Sequence, residues 1–425
     1  MMKITVLSNT YIRQRPVITC TSLFILLILI TFPHGAEAAY EKPATLSAKE
    51  ILAPELFKGS YHTVANQVKN NGLFNHYRVE SQFGIFQAGS TSELVILVHE
   101  FEAIAAMRKV ASDDTAMEGL KQSGGKTVAG LTNLFHDPEA SMEGAVAGVG
   151  SLFNRVKETV GKREATEAED SRLEQLVGIS KSKGKIATQY GVNVYSRNPV
   201  LQTELDRLGQ ADFLGGLGVG LATSFVPGVG GLVLSVSGTA RLLNEAINTT
   251  PASELWRQNK RKLLAMWVHE DTAELFLNNP SFSPAQSTVL VAALESMKGV
   301  ENRELFVKVA LQAADPAMAD IITVIAVMSA SYHKEIAPLQ GFSPMARLTQ
   351  GIRRDGTRVV LLPTDHIIWD RRVADAATAV SDQAKGKGME LWLFGSLSKQ
   401  ATTELERQGW KIHTEAGPRL MPQRK

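Results

Sequence analysis

Residues 213–240 read FLGGLGVGLATSFVPGVGGLVLSVSGTA and carry no charged side chain. A bilayer crossing takes about 20 apolar residues, so a run of this length belongs either in lipid or wholly inside a protein core. Pro227 and Gly228 divide it into halves of about 14 residues, a length nearer to core or re-entrant segments than to full crossings. Gly216, Gly220 and Ser224 recur every four residues, and Gly231, Ser235 and Thr239 do so after the proline. On helices these positions make small-residue faces at which two backbones approach closely. Two placements follow, a buried helical hairpin turned at Pro227-Gly228 or a contact with a membrane. Both make Gly216, Gly220 and Gly231 helix-packing positions.

The chain ahead of this run carries an export address. Lys3, Arg13 and Arg15 precede an apolar stretch over 17–32, then Pro33 and the small-residue sequence Ala36-Glu37-Ala38. A basic region, an apolar region and an A-x-A site in this order constitute a signal peptide. Residues 1–38 are expected to be removed, leaving a mature chain from Ala39; the alternative, from the long basic region, is an uncleaved anchor. The single cysteine, Cys20, leaves with that segment, so cysteine nucleophiles, disulfides and cysteine metal sites are not expected. At 425 residues with 21% charged side chains and a net charge of +2, the chain reads as a folded protein of several domains. The charge balance gives no basic surface for nucleic acid.

The pattern predicts an α+β fold, mostly helical. Residues 39–110 read as a small β-meander followed by a helix. Strands are expected over 61–68 and 77–86 around an Asn70-Asn71-Gly72 turn, and a helix over 93–110 capped by Ser92. Residues 111–250 read as glycine-rich amphipathic and apolar helices. Two echoing stretches, 128–135 (VAGLTNLF) and 146–153 (VAGVGSLF), place apolar residues on one helical face, as an interfacial pair on a membrane or as covers for a core. The densely charged residues 162–174 suit a solvated helix or linker. Ser196 or Asn198 and Pro199 start a helix with Leu201, Leu205 and Leu208 on one face. Residues 251–340 read as a helical bundle, with starts at Ser283-Pro284 and Asp315-Pro316. Residues 341–425 alternate strand (358–362, 390–394, 411–413) and helix (371–384, 398–408). That alternation predicts a C-terminal α/β domain with a small parallel sheet.

Familiar chemistry is mostly excluded. His99-Glu100 lacks the second histidine of a zinc-protease helix, since Ala103 stands there. That makes His99 a partly buried structural residue. Lys121 to Thr127 misses the phosphate-loop pattern, because Leu120 stands where glycine is needed and no strand precedes it. No metal, cofactor or nucleotide is expected. Sites in open α/β sheets lie beyond the carboxyl ends of the strands. Those ends carry Asp365, His366 and Asp370, and Gly395, Ser396, Ser398 and Lys399. Asp365, His366 and Ser396 are therefore the candidate catalytic residues. Neighbours on a strand point to opposite faces, so Asp365 and His366 are not expected to cooperate. Neither serine sits in G-x-S-x-G. The competing assignment is capping, Asp370 for one helix and Ser398 for the next.

The segments from Leu362 to Trp369, from Leu391 to Gly395 and from Tyr195 to Gln202 are similar to those of uncharacterised exported proteins of Gram-negative bacteria. That resemblance implies export and supplies no catalytic residue. Together these features favour a non-enzymatic envelope protein, exported to the periplasm or envelope. Its glycine-rich helices are expected to bind a membrane surface or an envelope protein. Two alternatives stand beside this reading, a hydrolase-like enzyme using the C-terminal strand ends and a soluble periplasmic binding module.

Overall fold

A computed structural model describes residues 40–111, 180–213 and 240–421. The expected signal peptide 1–38, the repeat pair, the phosphate-loop-like stretch, the charged stretch 162–174 and the glycines expected to pack helices, Gly216, Gly220 and Gly231, lie outside the described residues. Among the described residues no helix is long and apolar enough to cross a membrane. The fold is mixed α+β and mostly helical, with an N-terminal β-sheet and a C-terminal sheet region.

The N-terminal sheet has more strands than the two its sequence suggests. β1 (Thr45–Ser47) pairs antiparallel with β3 (Gln67–Asn70). β4 (Asn75–Ser81) takes β5 (Gly84–Ala88) on one edge and β2 (His62–Val64) and β3 on the other. The strand expected over 61–68 is thus broken at 65–66, because its two parts pair with different stretches of β4. Two short helices, α1 (Ala48–Ile51) and α2 (Pro54–Phe57), sit between β1 and β2. The Asn70-Asn71-Gly72 turn forms as read. Asn70 Oδ1 accepts from Gly72 N at 2.6 Å, Asn71 Oδ1 accepts from Phe74 N at 2.8 Å, and Gly72 takes φ +97°. Only glycine adopts that conformation without strain.

The long helix α3 (Thr91–Ala111) packs on this sheet. Its cap is Ser90, not Ser92. Ser90 Oγ accepts from Glu93 N at 3.0 Å, and the Glu93 carboxylate reaches back to Gly89 N at 2.7 Å. The S-x-x-E spacing of a capping box begins at Ser90, which decides between the two serines. Helix α4 (180–189) and helix α5 (Pro199–Phe213) complete this core. Leu201, Leu205 and Leu208 form the buried face of α5, as their spacing predicts. Asn198 caps it, its Oδ1 accepting from Val200 N at 3.1 Å.

The following helices are α6 (Ala240–Thr249), α7 (Ala252–Ala265), α8 (Glu270–Leu277), α9 (Pro284–Ser296), α10 (Glu304–Ala310) and α11 (Pro316–Ser331). Ser283 and Gln286 form a complete capping box, and Asp315 caps α11 through Met318 N. A π-turn over Tyr332–Ile336 ends the bundle.

The C-terminal sheet has the order β12-β10-β8-β7-β6. β8 (Arg358–Leu362), β10 (Met389–Leu393) and β12 (Trp410–His413) are parallel, linked through α12 (Arg371–Ala384) and α13 (Lys399–Arg407). The expectation of a purely parallel sheet is corrected here. β6 (Leu339–Met345) and β7 (Leu348–Arg353) add an antiparallel pair on the β8 side. Their sequences, LQGFSPM and LTQGIR, lack period-2 alternation and carry Gly and Pro. Pro344 is tolerated because β6 is the end strand. The outer edge of β6 is covered locally by Glu301, whose N–H donates to Gln340 O while its carbonyl accepts from Phe342 N.

Alternate residues of this sheet enter different cores. Val359, Leu361 and Trp392 face the helical bundle, while Val360, Leu391 and Leu393 face α12 and α13. The bundle and one face of the sheet therefore share a single core, and position 341 falls inside β6 rather than at a boundary. Residues 341–425 produced alone would lack the start of β6 and would expose Val359, Leu361 and Trp392 to water. A gradual melt without a cooperative transition is expected for that fragment by circular dichroism. A sharp transition would show that the sheet and its two outer helices suffice.

Candidate functional site

The carboxyl ends of β8 and β10 bend and continue as a second, two-stranded parallel pair, β9 (His366–Ile367) and β11 (Ser396–Leu397), with Ser396 opposite His366. Gly395 makes the bend possible. A Cβ there would lie 1.8 Å from the Asp365 carbonyl oxygen. His366 and Ser396 consequently meet, with Nδ1 to Oγ at 2.8 Å on the exposed side. Burial lowers the His366 pKa, and the charge of Glu41 acts in the opposite sense. A neutral imidazole beside a hydroxyl is the minimum of a nucleophile–base pair.

Asp365 does not join them. Its carboxylate turns the other way and accepts from Asn75 N at 2.9 Å and from Thr91 N at 3.1 Å. Thr91 opens α3, so a negative group lies against unpaired N–H groups at a helix N-terminus, where it is favoured. Burial raises the Asp365 pKa, opposed by these hydrogen bonds and by His76. Asp365 lies in the bend just before β9, so its separation from His366 comes from the bend and from its bonds to Asn75 and Thr91.

The same surface receives other groups from the N-terminal part of the chain. Leu73 O accepts from both Asp365 N and His366 N, and Gly72 O accepts from Ile368 N. Asn70 Nδ2 donates to His366 O, and Arg372 Nη2 donates to Asn71 O at 2.8 Å. Glu41 N donates to Trp369 O, and the Glu41 carboxylate accepts from Trp369 N and from Ser398 Oγ. Ser398 and Asp370 also cap α13 and α12 through Ala401 N and Val373 N. Sequence reasoning gave the capping roles correctly but missed Glu41, Asn75 and Thr91. Nothing local marks them, since their partners lie some 300 positions away.

As a catalytic centre the arrangement is incomplete. Ser396 N, the nearest donor for an oxyanion, is spent on Asp365 O at 3.0 Å. Among the described residues no carboxylate is hydrogen-bonded to His366, and no group of His, Cys, Asp or Glu is placed to hold a metal ion. One surface groove, of about 430 Å³, is lined by Tyr61, Gln82, Phe83, Ala105, Arg108 and Lys109, away from this pair.

Two other polar clusters are structural in geometry. Glu390 on β10 accepts from Tyr332 Oη at 2.7 Å, Trp392 Nε1 at 3.0 Å and Arg353 Nη1 at 2.9 Å. Burial pushes its pKa up, but these donors and the Arg353 charge outweigh it and hold the carboxyl below its usual range. This network ties the π-turn to the sheet. His99 is 8% exposed, with Nε2 3.2 Å from Gly191 O, matching a structural histidine.

Comparison with protein-family models, with curated proteins and with solved structures gives no match.

Replacing Asp365 with alanine leaves two backbone N–H groups without their acceptor. Each lost buried partner costs about 1–3 kcal/mol, so Asp365→Ala is expected to destabilise by about 2–4 kcal/mol in urea titration. Asp365→Asn keeps one acceptor and should cost less. A loss below about 1 kcal/mol for Asp365→Ala would show that this carboxylate is not what fixes the N-terminal sheet.

Proposed function

We propose that this is an exported, non-enzymatic protein of the cell envelope, attached to a membrane surface or an envelope partner through the charge-free run 213–240. One observation carries the reading. The C-terminal end of α3, the start of α4 as described and the C-terminal end of α5 lie side by side. Arg108 pairs with Glu204 at 2.7 Å, Arg207 donates to Met107 O at 3.2 Å, and Lys183 pairs with Asp206 at 2.5 Å. A Cβ on Gly209 would meet Lys183 at 3.1 Å. Arg108 near the end of α3, Lys183 near the start of α4 and Gly209 near the end of α5 thus lie at one end of a helical layer. That end of the layer is where α5 reaches Phe213, the first residue of the charge-free run. The A-x-A signal and the resemblance to exported Gram-negative proteins support the envelope address.

The second reading, a hydrolase, is favoured by the 2.8 Å contact between His366 and Ser396. It is weighed down by the spent Ser396 N–H and by the diversion of Asp365. A fluorophosphonate probe separates the two. Labelling that disappears in Ser396→Ala would replace the non-enzymatic reading, while an unlabelled wild type agrees with it.

Attachment is tested by fractionation. The wild-type chain is expected in the membrane pellet after a salt wash. A variant with 214–239 replaced by a Gly/Ser linker of equal length is expected in the supernatant, with an unchanged melting temperature. Wild type in the supernatant, or the linker variant still in the pellet, would remove the attachment role from this run.

A further inference from the structure

Glu100 lies in the middle of α3 and is 5% exposed. Its two carboxylate oxygens face the turn that starts α5. Ser196 Oγ lies 2.5 Å from Oε1, and Asn198 Nδ2 donates to Oε2 at 3.0 Å. Those two residues are the start of the helix. Ser196 Oγ accepts from Asn198 N at 3.1 Å, and Asn198 Oδ1 accepts from Val200 N and Leu201 N. The first turn of α5 is thereby fastened to α3 through one carboxyl group, and the second fastening, Arg108 with Glu204, lies further along both helices.

The charges around Glu100 do not compensate it. On α3, Glu93 repels it and His99 is engaged with Gly191 O. In the turn, Tyr195 is a partly buried phenol pushed up to about 12, and Arg197 is a cation whose charge favours ionised Glu100. Arg197 is half exposed and its guanidinium is turned to Asp320 of α11 at 2.8 Å. On α5, Glu204 is already shared by Arg108 and Arg207. A buried carboxylate with hydrogen bonds but no paired cation is costly when ionised. Protonated, Glu100 donates to Ser196 Oγ instead, so the same contact persists without a buried charge.

We propose that Glu100 is a pH-operated latch, fastening the first turn of α5 to α3 when protonated and loosening it when ionised. Burial, opposed by Ser196 and Asn198, raises this carboxyl from its ordinary 4.5 to about 7. Between those values the closed form holds more protons than the opened one. The latch contribution is therefore full below pH 4.5 and is lost as pH rises through about 7. α5 runs from this turn to Phe213, the first residue of the charge-free run. The inference does not depend on what that run binds.

The test is amide hydrogen exchange on the full chain at about pH 5.5 and about pH 8.5, corrected for intrinsic rates. Protection of the Asn198, Val200 and Leu201 amides is expected to fall by about tenfold or more between the two in wild type. Glu100→Gln mimics the protonated group and should stay protected at both. Ser196→Ala removes a donor that favours the ionised form, so its loss of protection at high pH should exceed that of wild type. Equal pH dependence in wild type and Glu100→Gln would overturn the proposal. Were Glu100→Gln not to fold, Ser196→Ala behaving like wild type would overturn it equally.

Discussion

The carboxylate of Asp365 holds together parts of the chain that are nearly 300 residues apart. It accepts from Asn75 N at the start of β4 and from Thr91 N at the start of α3. Both donors are backbone groups that their own elements leave unpaired, and both bonds are partly buried. An unsatisfied buried N–H costs as much as a lost hydrogen bond or more. The start of β4, the start of α3 and the bend between β8 and β9 are thus joined at one acidic side chain. Glu41, reaching Trp369 and Ser398, and the Gly72 and Leu73 carbonyls extend the same seam.

That seam changes how the strand ends should be understood. In open α/β sheets this surface is normally left for a ligand. Here the chain's own turn at residues 70–73 and the segment at Glu41 bond to it, and Asp365, Asp370 and Ser398 are engaged in intramolecular bonds. His366 and Ser396 remain at its exposed margin. Their contact follows from the parallel pairing of β9 with β11 and from the absence of a side chain at Gly395. Such a pair is what remains when two strands end in register, and among the described residues no carboxylate is hydrogen-bonded to His366 while Ser396 N is bonded to Asp365 O.

The polar interior elsewhere divides by whether a cation is present. Glu390 has Arg353 and three donors in all, and its carboxyl is held below its usual range. Glu204 has two arginines. Glu100 has two donors and no paired cation, and its carboxyl rises to about 7. These three carboxylates differ in partners, and that difference separates fixed joints from one that responds to pH.

Local physics made much of this chain legible. Asn198 with Pro199, Ser283 with Gln286, Asp315 with Pro316, and the Asn70-Asn71-Gly72 turn each satisfy backbone groups within a few residues, so their roles were fixed by adjacent side chains. The strand and helix alternation after residue 358 was readable for the same reason. β6 and β7 were not, because Pro344 and Gly351 erase the alternation and only pairing with β8 makes them strands. The choice of Ser90 over Ser92 depended on where Glu93 folds back. The role of Asp365 was beyond any local pattern. A carboxylate at a strand end is equally suited to catalysis or docking, and only the approach of Asn75 and Thr91 in three dimensions selects between them.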